Sequence, residues 1–163
     1  MTFVTYEDTP LARDALREVL SICHREKFSW QDHDMLRVLG EPGGLLFFVP
    51  SPDQEPTAIR QWDGFVFADC GPFSCDLLYI FVRPELRGTG LGAKLFQELI
   101  RRVSLDPKME KLFLEVRVSN SRAKRLYEKF GMRKIGTRPR YYNDGEDADI
   151  YEYLTGAKVA KYP

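Results

Sequence analysis

The chain has little that suits a membrane protein, a metalloenzyme or a general nucleic-acid binder. Its 163 residues contain no run of about 18 apolar residues, so we expect no membrane-spanning helix. The 24 basic residues are balanced by 24 acidic ones, and a formal net charge of zero argues against nucleic-acid binding through a broad basic surface. The two histidines, His24 and His33, and the three cysteines lack the spacing of metal ligands, so we expect no bound metal.

The few cysteines and the first residues bear on the cellular compartment. Residues 1–8 lack the basic start and apolar core of a signal peptide. The cysteines are Cys23, Cys70 and Cys75, and the last two flank residues 71–74, so that they could face each other across a hairpin. Because their number is odd and no disulfide framework is evident, we favour reduced thiols and expect a cytoplasmic protein.

The hydrophobic pattern predicts a single domain over residues 1–155 followed by a tail, 156–163. Predicted strands cover 2–6, 45–49, 64–68, 73–82, 112–118, 133–138 and 150–154. Predicted helices begin near 8–10, 32, 91 and 121. Residues 50–56 are polar and rich in proline, which is typical of a surface turn.

Residues 87–92 form a glycine-rich segment between an apolar run, 77–82, and an amphipathic stretch. The stretch has Leu91, Leu95, Phe96, Leu99 and Val103 at helical spacing. Glycine has no side chain to hold a ligand away from the backbone. The first amides of a helix are unpaired and lie at the positive end of its dipole. The segment therefore predicts a pyrophosphate site.

Three interpretations of these glycines compete. The loop could simply need positive backbone dihedrals. Gly88, Gly90 and Ala93 also fit the Gly-x-Gly-x-x-Ala pattern of dinucleotide binding, but that fold needs repeated βαβ units, whereas consecutive strands precede this loop. Arg87, Gly90 and Gly92 meet every fixed position of Gln/Arg-x-x-Gly-x-Gly/Ala, the coenzyme A loop of the GNAT acetyltransferases. We adopt this third interpretation.

The chain resembles the RimI-type protein N-terminal acetyltransferases of the GNAT superfamily and their archaeal and eukaryotic relatives. The matching blocks are residues 28–30, 80–84, 114–120, 126–131 and 141–148, and the last of these is the most specific. The resemblance implies the GNAT fold, an α/β (α+β) architecture with a mixed, mostly antiparallel sheet of about seven strands flanked by four helices. It implies that the chain transfers the acetyl group of acetyl-CoA to the N-terminal α-amine of a protein or peptide, in the manner of ribosomal-protein-alanine N-acetyltransferases.

Residue by residue, the resemblance implies a coenzyme site and a peptide groove. The coenzyme residues would be Ile80, Phe81, Val82, Arg87, Gly88, Thr89, Gly90, Leu91, Gly92, Ala93 and Asn120. The groove would be lined by Phe28 and Trp30 on one side and by Tyr141 and Tyr142 on the other. Asn120 also fits a simple helix N-cap, and the two tyrosines could instead cover a sheet edge.

The same comparison implies two catalytic residues. Glu115, on the polar face of an apolar strand, resembles a general base that acts through a water, although without the family a structural ion pair with Arg117 or a nearby lysine is the favoured interpretation. Tyr127 resembles the general acid for the departing thiolate, although its helical spacing with Leu126 and Phe130 is that of a core aromatic.

Two alternatives remain open at this point. An acetyltransferase for a lysine ε-amine or a small-molecule amine would use the same coenzyme site. A lysine amine, with a pKa near about 10.4, would demand a stronger base than an α-amine, with a pKa near about 8. A non-catalytic acyl-CoA sensor is the binding-protein alternative, and the presence of both Glu115 and Tyr127 argues against it.

Overall fold

The structure, a computed structural model, describes residues 4–5, 16–17, 19–23, 32–51 and 62–155. The predicted groove residues Phe28 and Trp30, most of the proline-rich turn and the predicted tail lie outside the described residues.

The described strands and helices follow one another in the predicted order. The strands are β1 (Val4–Thr5), β2 (Gly44–Pro50), β3 (Trp62–Cys70), β4 (Ser74–Val82), β5 (Lys111–Arg117), β6 (Arg133–Arg138) and β7 (Ala148–Leu154). The helices are α1 (helical residues 16–17 and 19–23), α2 (Asp32–Gly40), α3 (Leu91–Val103) and α4 (Ser121–Lys129), with a 3₁₀ turn at Pro84–Leu86. This order confirms the predicted arrangement of strands and helices.

The strands form one seven-stranded sheet in the order β1-β2-β3-β4-β5-β7-β6. Each strand runs antiparallel to its neighbours except at the β4–β5 pair, which is parallel. The sheet is therefore mixed and mostly antiparallel, as predicted.

Two apolar clusters cover the two faces of the sheet. On one face, α1 and α2 contribute Val19, Met35 and Val38, which pack against Phe65 and Phe67 of β3. On the other face lie the apolar side chains of α3 and Tyr127 of α4. Alternate residues of each strand point to opposite faces, so β3 supplies both clusters at once. Among the described residues, no helix is both long enough and apolar enough to cross a membrane.

Gly64 of β3 sets how closely α3 approaches the sheet. A Cβ at this position would lie 2.6 Å from the carbonyl oxygen of Phe81 and 2.9 Å from Cδ1 of Leu95. Both distances are too short for real contacts, so only glycine allows Leu95 to pack at this depth.

The hairpin between β3 and β4 corrects the prediction of reduced thiols. Cys70 and Cys75 are directly opposite each other in the β3–β4 register, with their Cα atoms 3.9 Å apart, and a disulfide joins them. The prediction was wrong for this pair because the tight turn brings the two side chains together. Cys23 is a free, buried thiol, and burial raises its pKa to about 12.

Strand β5 ends one residue earlier than its alternating pattern predicts. Val118 was expected on the apolar face, but its side chain is exposed. The chain turns there: the amide of Val118 donates to the carbonyl of Asp147, and the amide of Asn120 donates to that of Arg117. This turn leads directly into the cap of α4.

Candidate active site

A cleft opens where β4 and β5 separate. The two strands pair only from Ser74 to Leu77 and from Lys111 to Leu114. Just beyond, the register of β3 with β4 shifts, so that Leu78 is an extra residue in β4. Such a bulge bends the strand and leaves backbone groups unpaired. The resulting cavity has a volume of about 660 Å³ and is lined by the parts of β4 and β5 that do not pair with each other.

The glycine loop closes one end of this cavity. Gly88 and Gly90 have φ angles of 99° and 90°, in the left-handed region that glycine adopts readily. Gly90 is the N-cap of α3 and has no side chain to cap the helix. The first intrahelical bond runs from the amide of Lys94 to the carbonyl of Gly90, at 3.1 Å. The preceding amides of the first turn are therefore available to an anion.

Most of the predicted coenzyme residues meet around this cavity. Its wall includes Ile80, Phe81, Val82, Arg87, Gly88, Gly90, Gly92, Ala93 and Asn120. The side chain of Leu91 is instead buried in the core, and the hydroxyl of Thr89 donates to the carbonyl of Leu86 at 2.8 Å. Asn120 also caps α4, because its side-chain oxygen accepts from the amide of Ala123 at 3.1 Å. Capping and a place on the cavity wall are thus compatible.

Arg122 is a cavity residue that the sequence reasoning missed. One of its guanidinium nitrogens lies 3.6 Å from the point that a Cβ on Gly88 would occupy. A cation beside the glycine loop adds to the attraction that the helix amides exert on a phosphate. A signal was present in the sequence, since arginine is unfavourable in the first turn of a helix unless an anion is nearby.

Glu115 lies between the first cavity and a second one. The second cavity has a volume of about 440 Å³. Leu77, Leu78, Leu114, Glu115 and Tyr142 line both cavities. The second cavity is also lined by Asp69, Asp76, Phe113, Ile135, Arg138, Tyr141 and Ile150. A carboxylate at the junction is accessible from both sides, as a base between a coenzyme and an acceptor must be.

The partners of Glu115 differ from the predicted ones. Its Oε1 atom lies 2.8 Å from Nη1 of Arg138, and its carboxylate is close enough to Tyr141 to raise the pKa of that hydroxyl. The alternative of an ion pair between Glu115 and Arg117 does not hold. Arg117 instead binds Asp144 and Glu146, each at 2.8 Å. Arg138 was missed because it lies on β6, and β7 separates β6 from the strand of Glu115.

Tyr127 is both a core aromatic and a wall residue of the first cavity. Its ring is 5.0 Å from that of Phe96, centroid to centroid, and its side chain is buried. Burial, with a smaller effect from Tyr142, raises the pKa of the phenol above its usual value. The hydroxyl therefore stays protonated at neutral pH, which a proton donor requires.

Tyr141 and Tyr142 lie in the loop between β6 and β7. Their rings meet edge to face with centroids 5.2 Å apart. Both line the second cavity rather than only the edge of the sheet. Burial raises the pKa of both hydroxyls, and the nearby carboxylate of Glu115 adds to the effect at Tyr141. The two tyrosines share this cavity with Asp69 and Asp76. In the described part of the chain, no group of three or more His, Cys, Asp or Glu side chains is placed to hold a metal ion.

This sheet, split between β4 and β5 with a glycine loop at the mouth of the cleft, is the arrangement of one family of transferases. The model of the Acetyltransferase (GNAT) family matches residues 13–132. The chain belongs to the GNAT acetyltransferase family.

Within the family, the chain is similar to proteins that modify protein N-termini. It is 41% identical over 97 residues to a putative [ribosomal protein bS18]-alanine N-acetyltransferase of Bacillus subtilis, covering 56% of this chain and 64% of the relative. The crystal structure of the Escherichia coli ribosomal-protein-S18-alanine N-acetyltransferase superposes with a TM-score of 0.73 at 25% identity, covering 94% of each chain. The fold also matches Arabidopsis thaliana NAA60 in complex with acetyl-CoA, with a TM-score of 0.76, 20% identity and coverage of 94% and 98%. The aligned part spans less than two thirds of the Bacillus relative.

Proposed function

We propose that this protein transfers the acetyl group of acetyl-CoA to the N-terminal α-amine of a protein or peptide. The observation that carries the proposal is the position of Glu115 at the junction of two cavities, one with a phosphate-binding loop and one with an aromatic and acidic wall. The first cavity would hold the coenzyme and the second the acceptor. The names of the Bacillus and Escherichia relatives support this class of acceptor.

The residues of the first cavity suit acetyl-CoA. The amides of α3 and the guanidinium of Arg122 would hold the pyrophosphate and its neighbouring phosphate. The part of β4 that is not paired with β5, including Ile80 and Val82, would bind the pantetheine arm as a neighbouring strand does. The acetyl group would then lie near Glu115 and Tyr127, at the opposite end of the cavity from the loop.

The reaction is a direct attack of the amine on the thioester within a ternary complex. Glu115, through a water, accepts the proton that the amine loses, and a C–N bond forms as the C–S bond breaks. The hydroxyl of Tyr127 gives its proton to the departing thiolate. A peptide α-amine has a pKa near about 8, so a carboxylate with a water relay is a sufficient base. The tyrosine regains its proton from solvent before the next turnover.

The second cavity suits the end of a peptide chain. Tyr141 and Tyr142 would bind an extended backbone, and the cavity would receive the first side chain. The cytoplasm is the compartment that fits this proposal, because nascent and ribosomal proteins are present there with acetyl-CoA. The Cys70–Cys75 pair would then meet reducing conditions.

A small polycationic amine is the second candidate acceptor. The observation that favours it is the pair Asp69 and Asp76 on the wall of the acceptor cavity, beside Glu115. Burial, then Asp69 and Glu115, raise the pKa of Asp76, so Asp76 lies close enough to each of the other two carboxylates to be repelled by it. Such a cavity attracts positive charge, whether it comes from an α-amine or from an amine with several charges.

Mass spectrometry of a reacted peptide library tests the proposal. Peptides with free α-amines are incubated with the protein and acetyl-CoA, next to Nα-blocked copies that contain a lysine and next to spermidine. We expect acetylation at residue one of the free peptides. Dominant ε-acetylation, or turnover of spermidine without peptide acetylation, would replace the proposed acceptor. Coenzyme binding without release of any thiol would identify a sensor instead of an enzyme.

A further inference from the structure

The guanidinium of Arg138 occupies the acceptor side of Glu115. Its Nη1 atom lies 2.8 Å from Oε1 of Glu115, and its central carbon lies 5.1 Å from the centroid of the Tyr141 ring. The same tyrosine lies close enough to Glu115 for the carboxylate to raise the pKa of its hydroxyl. Arg138 therefore lies between a carboxylate and an aromatic ring, at the wall of the acceptor cavity.

A protonated amine is recognised by the same pair of groups. A carboxylate makes a charge-assisted hydrogen bond to an ammonium, and the face of an aromatic ring attracts a cation within about 6 Å. The acceptor of this reaction arrives as an ammonium and must come close to Glu115 to lose its proton. The place held by Arg138 is thus the place where the acceptor's ammonium would bind.

Exchange of the Arg138 guanidinium for the acceptor's ammonium leaves the net charge of the acceptor cavity unchanged. Among the described residues, the charged side chains on its wall are Asp69, Asp76, Glu115 and Arg138. If Arg138 left without a replacement, three carboxylates would face one another in a partly enclosed space. If an ammonium takes its place, the balance is kept, and Asp69 and Asp76 add to the attraction that draws the cation in.

Arg138 is also placed to move. Its side chain is 54% exposed, whereas that of Glu115 is 25% exposed. Its strand, β6, is at the edge of the described sheet, and all but one of its residues are exposed there. A half-exposed ion pair contributes little to stability, about 1 kcal/mol or less, so the arginine can turn outward at small cost.

We propose that Arg138 is a specificity-determining residue that competes with the acceptor amine for Glu115 and is displaced when the acceptor binds. This inference rests on the proposed function for its acceptor cavity and its base. It implies that the protein binds its acceptor more weakly than the cavity alone would allow. Only an acceptor with enough additional contacts to the cavity displaces the arginine, and simple amines are excluded.

Steady-state kinetics of three variants test this competition. An alanine-starting peptide is varied at saturating acetyl-CoA with wild type, Arg138→Gln, Arg138→Lys and Arg133→Gln. Removing the charge in Arg138→Gln should lower the KM of the peptide about 3- to 10-fold, with kcat kept or raised. Arg138→Lys retains a competing cation and should stay near wild type. Arg133, an exposed arginine of the same strand outside both cavities, is the matched control.

A chemical replacement of the missing group gives a second readout. In Arg138→Ala, millimolar methylguanidinium should inhibit competitively against the peptide, because it can occupy the vacated place. The same concentration should leave wild type unaffected beyond a sodium chloride control. A fall in kcat of Arg138→Gln at unchanged KM would overturn the inference, since it would mean that Arg138 orients Glu115. Unchanged kinetics would also overturn it.

The test separates this inference from the proposed acceptor. If no peptide is acetylated, binding of n-butylammonium to the CoA complex is measured by calorimetry with the same variants. Tighter binding to Arg138→Gln than to wild type would keep the role of Arg138 while the acceptor class fails. Acetylation of the peptide with equal KM values in all variants would remove the role of Arg138 and leave the proposed function intact.

Discussion

The guanidinium carbon of Arg117 lies 3.9 Å from the centroid of the Tyr142 ring. The same guanidinium binds Asp144 and Glu146, and the carboxylate of Glu146 also accepts from the amide of Ser119. Arg117 is at the end of β5 and the acidic residues are in the loop after Tyr142. One side chain therefore fixes the position of an aromatic residue that lines both cavities.

Replacing Arg117 with Met should loosen this loop and weaken acceptor binding. Loss of the cation–π contact and of the ion pairs frees the loop that carries Tyr142, so we expect the acceptor KM to rise about 5- to 30-fold. Kinetics with varied peptide measure the change, and Arg125→Met on the exposed face of α4 is the control. Loss of acetyl-CoA binding as large as the loss of acceptor binding would contradict a specific effect on Tyr142.

Glu115→Gln keeps the shape of the side chain and removes its ability to accept a proton. We expect kcat to fall about 10²- to 10⁴-fold at neutral pH, with acetyl-CoA affinity nearly unchanged. Asp76→Asn provides the comparison, since Asp76 is another carboxylate on the same cavity. An equal or larger loss in Asp76→Asn would assign the base to Asp76 and leave Glu115 as a structural partner of Arg138.

Tyr127→Phe removes only the hydroxyl, so packing against Phe96 is retained. We expect kcat to fall about 10²-fold while the melting temperature stays near that of wild type. Burial raises the pKa of this phenol, and a general acid is lost only as the pH rises through its pKa. The wild-type rate should therefore rise through about pH 8, as the amine deprotonates, and then stay level to about pH 10. A pH–rate profile measures both the rise and the level region of the rate. A lower melting temperature of the variant with full activity would show that the role of Tyr127 is structural.

Gly92→Val should block coenzyme binding without disturbing the fold. A Cβ at Gly92 would lie 3.7 Å from a methyl group of Val82, an ordinary contact, and the further carbons of valine would project into the first cavity. Acetyl-CoA at about 100 times its Kd should raise the melting temperature of wild type by about 5–10 °C and that of the variant hardly at all. Thermal unfolding measures this, and a comparable shift with NAD(P) would revive the dinucleotide interpretation.

Asp149→Asn tests the contribution of a buried carboxylate on β7, at its pairing with β6. Asp149 is buried and binds Lys134 at 2.5 Å, Thr137 at 3.0 Å and Lys124 at 3.2 Å. The bond to Lys134 above all lowers the pKa of this carboxyl in the folded state, so its stabilisation is present above the unfolded pKa, near about 3.9, and is lost as the pH falls through the folded value. We expect the variant to lose about 2 kcal/mol at pH 7. Its stability should also fall less steeply than that of wild type below about pH 4. Urea unfolding at several pH values gives both quantities, and parallel curves would argue against the assignment.

The local patterns of the sequence predicted the elements and the family. Apolar spacing gave α3, alternation gave β5 to within a residue, and β6 was predicted with its observed bounds. The glycine loop could be placed because its chemistry is contained in a few consecutive residues. The GNAT family, its seven-stranded sheet and its helices are confirmed, while the roles of Glu115 and Tyr127 stay predictions.

Contacts between distant strands could not be predicted in the same way. Arg138 reaches Glu115 only because β7, though last in the chain, inserts between β5 and β6 and places Ala148, with its short side chain, opposite Arg138. The Cys70–Cys75 bond depends on the register of a hairpin, which the sequence left open. Arg122 depends on how α4 lies against the glycine loop. Each of these is a property of the packing and not of a local pattern.

The short parallel seam between β4 and β5 has a mechanical consequence. Among the described strands, β1 to β4 form one leaf of the sheet and β5 to β7 the other. The two leaves pair along residues 74–77 and 111–114, and the amide of Glu110 donates to the carbonyl of Phe73 just before them. A molecule bound in the gap beyond this parallel pairing contacts both leaves of the sheet and therefore restricts their motion relative to each other. Acetyl-CoA, if it binds there, would connect β4 and β5 where the two strands do not pair with each other. Amide protons on both leaves would then exchange more slowly, far beyond the residues that touch the coenzyme.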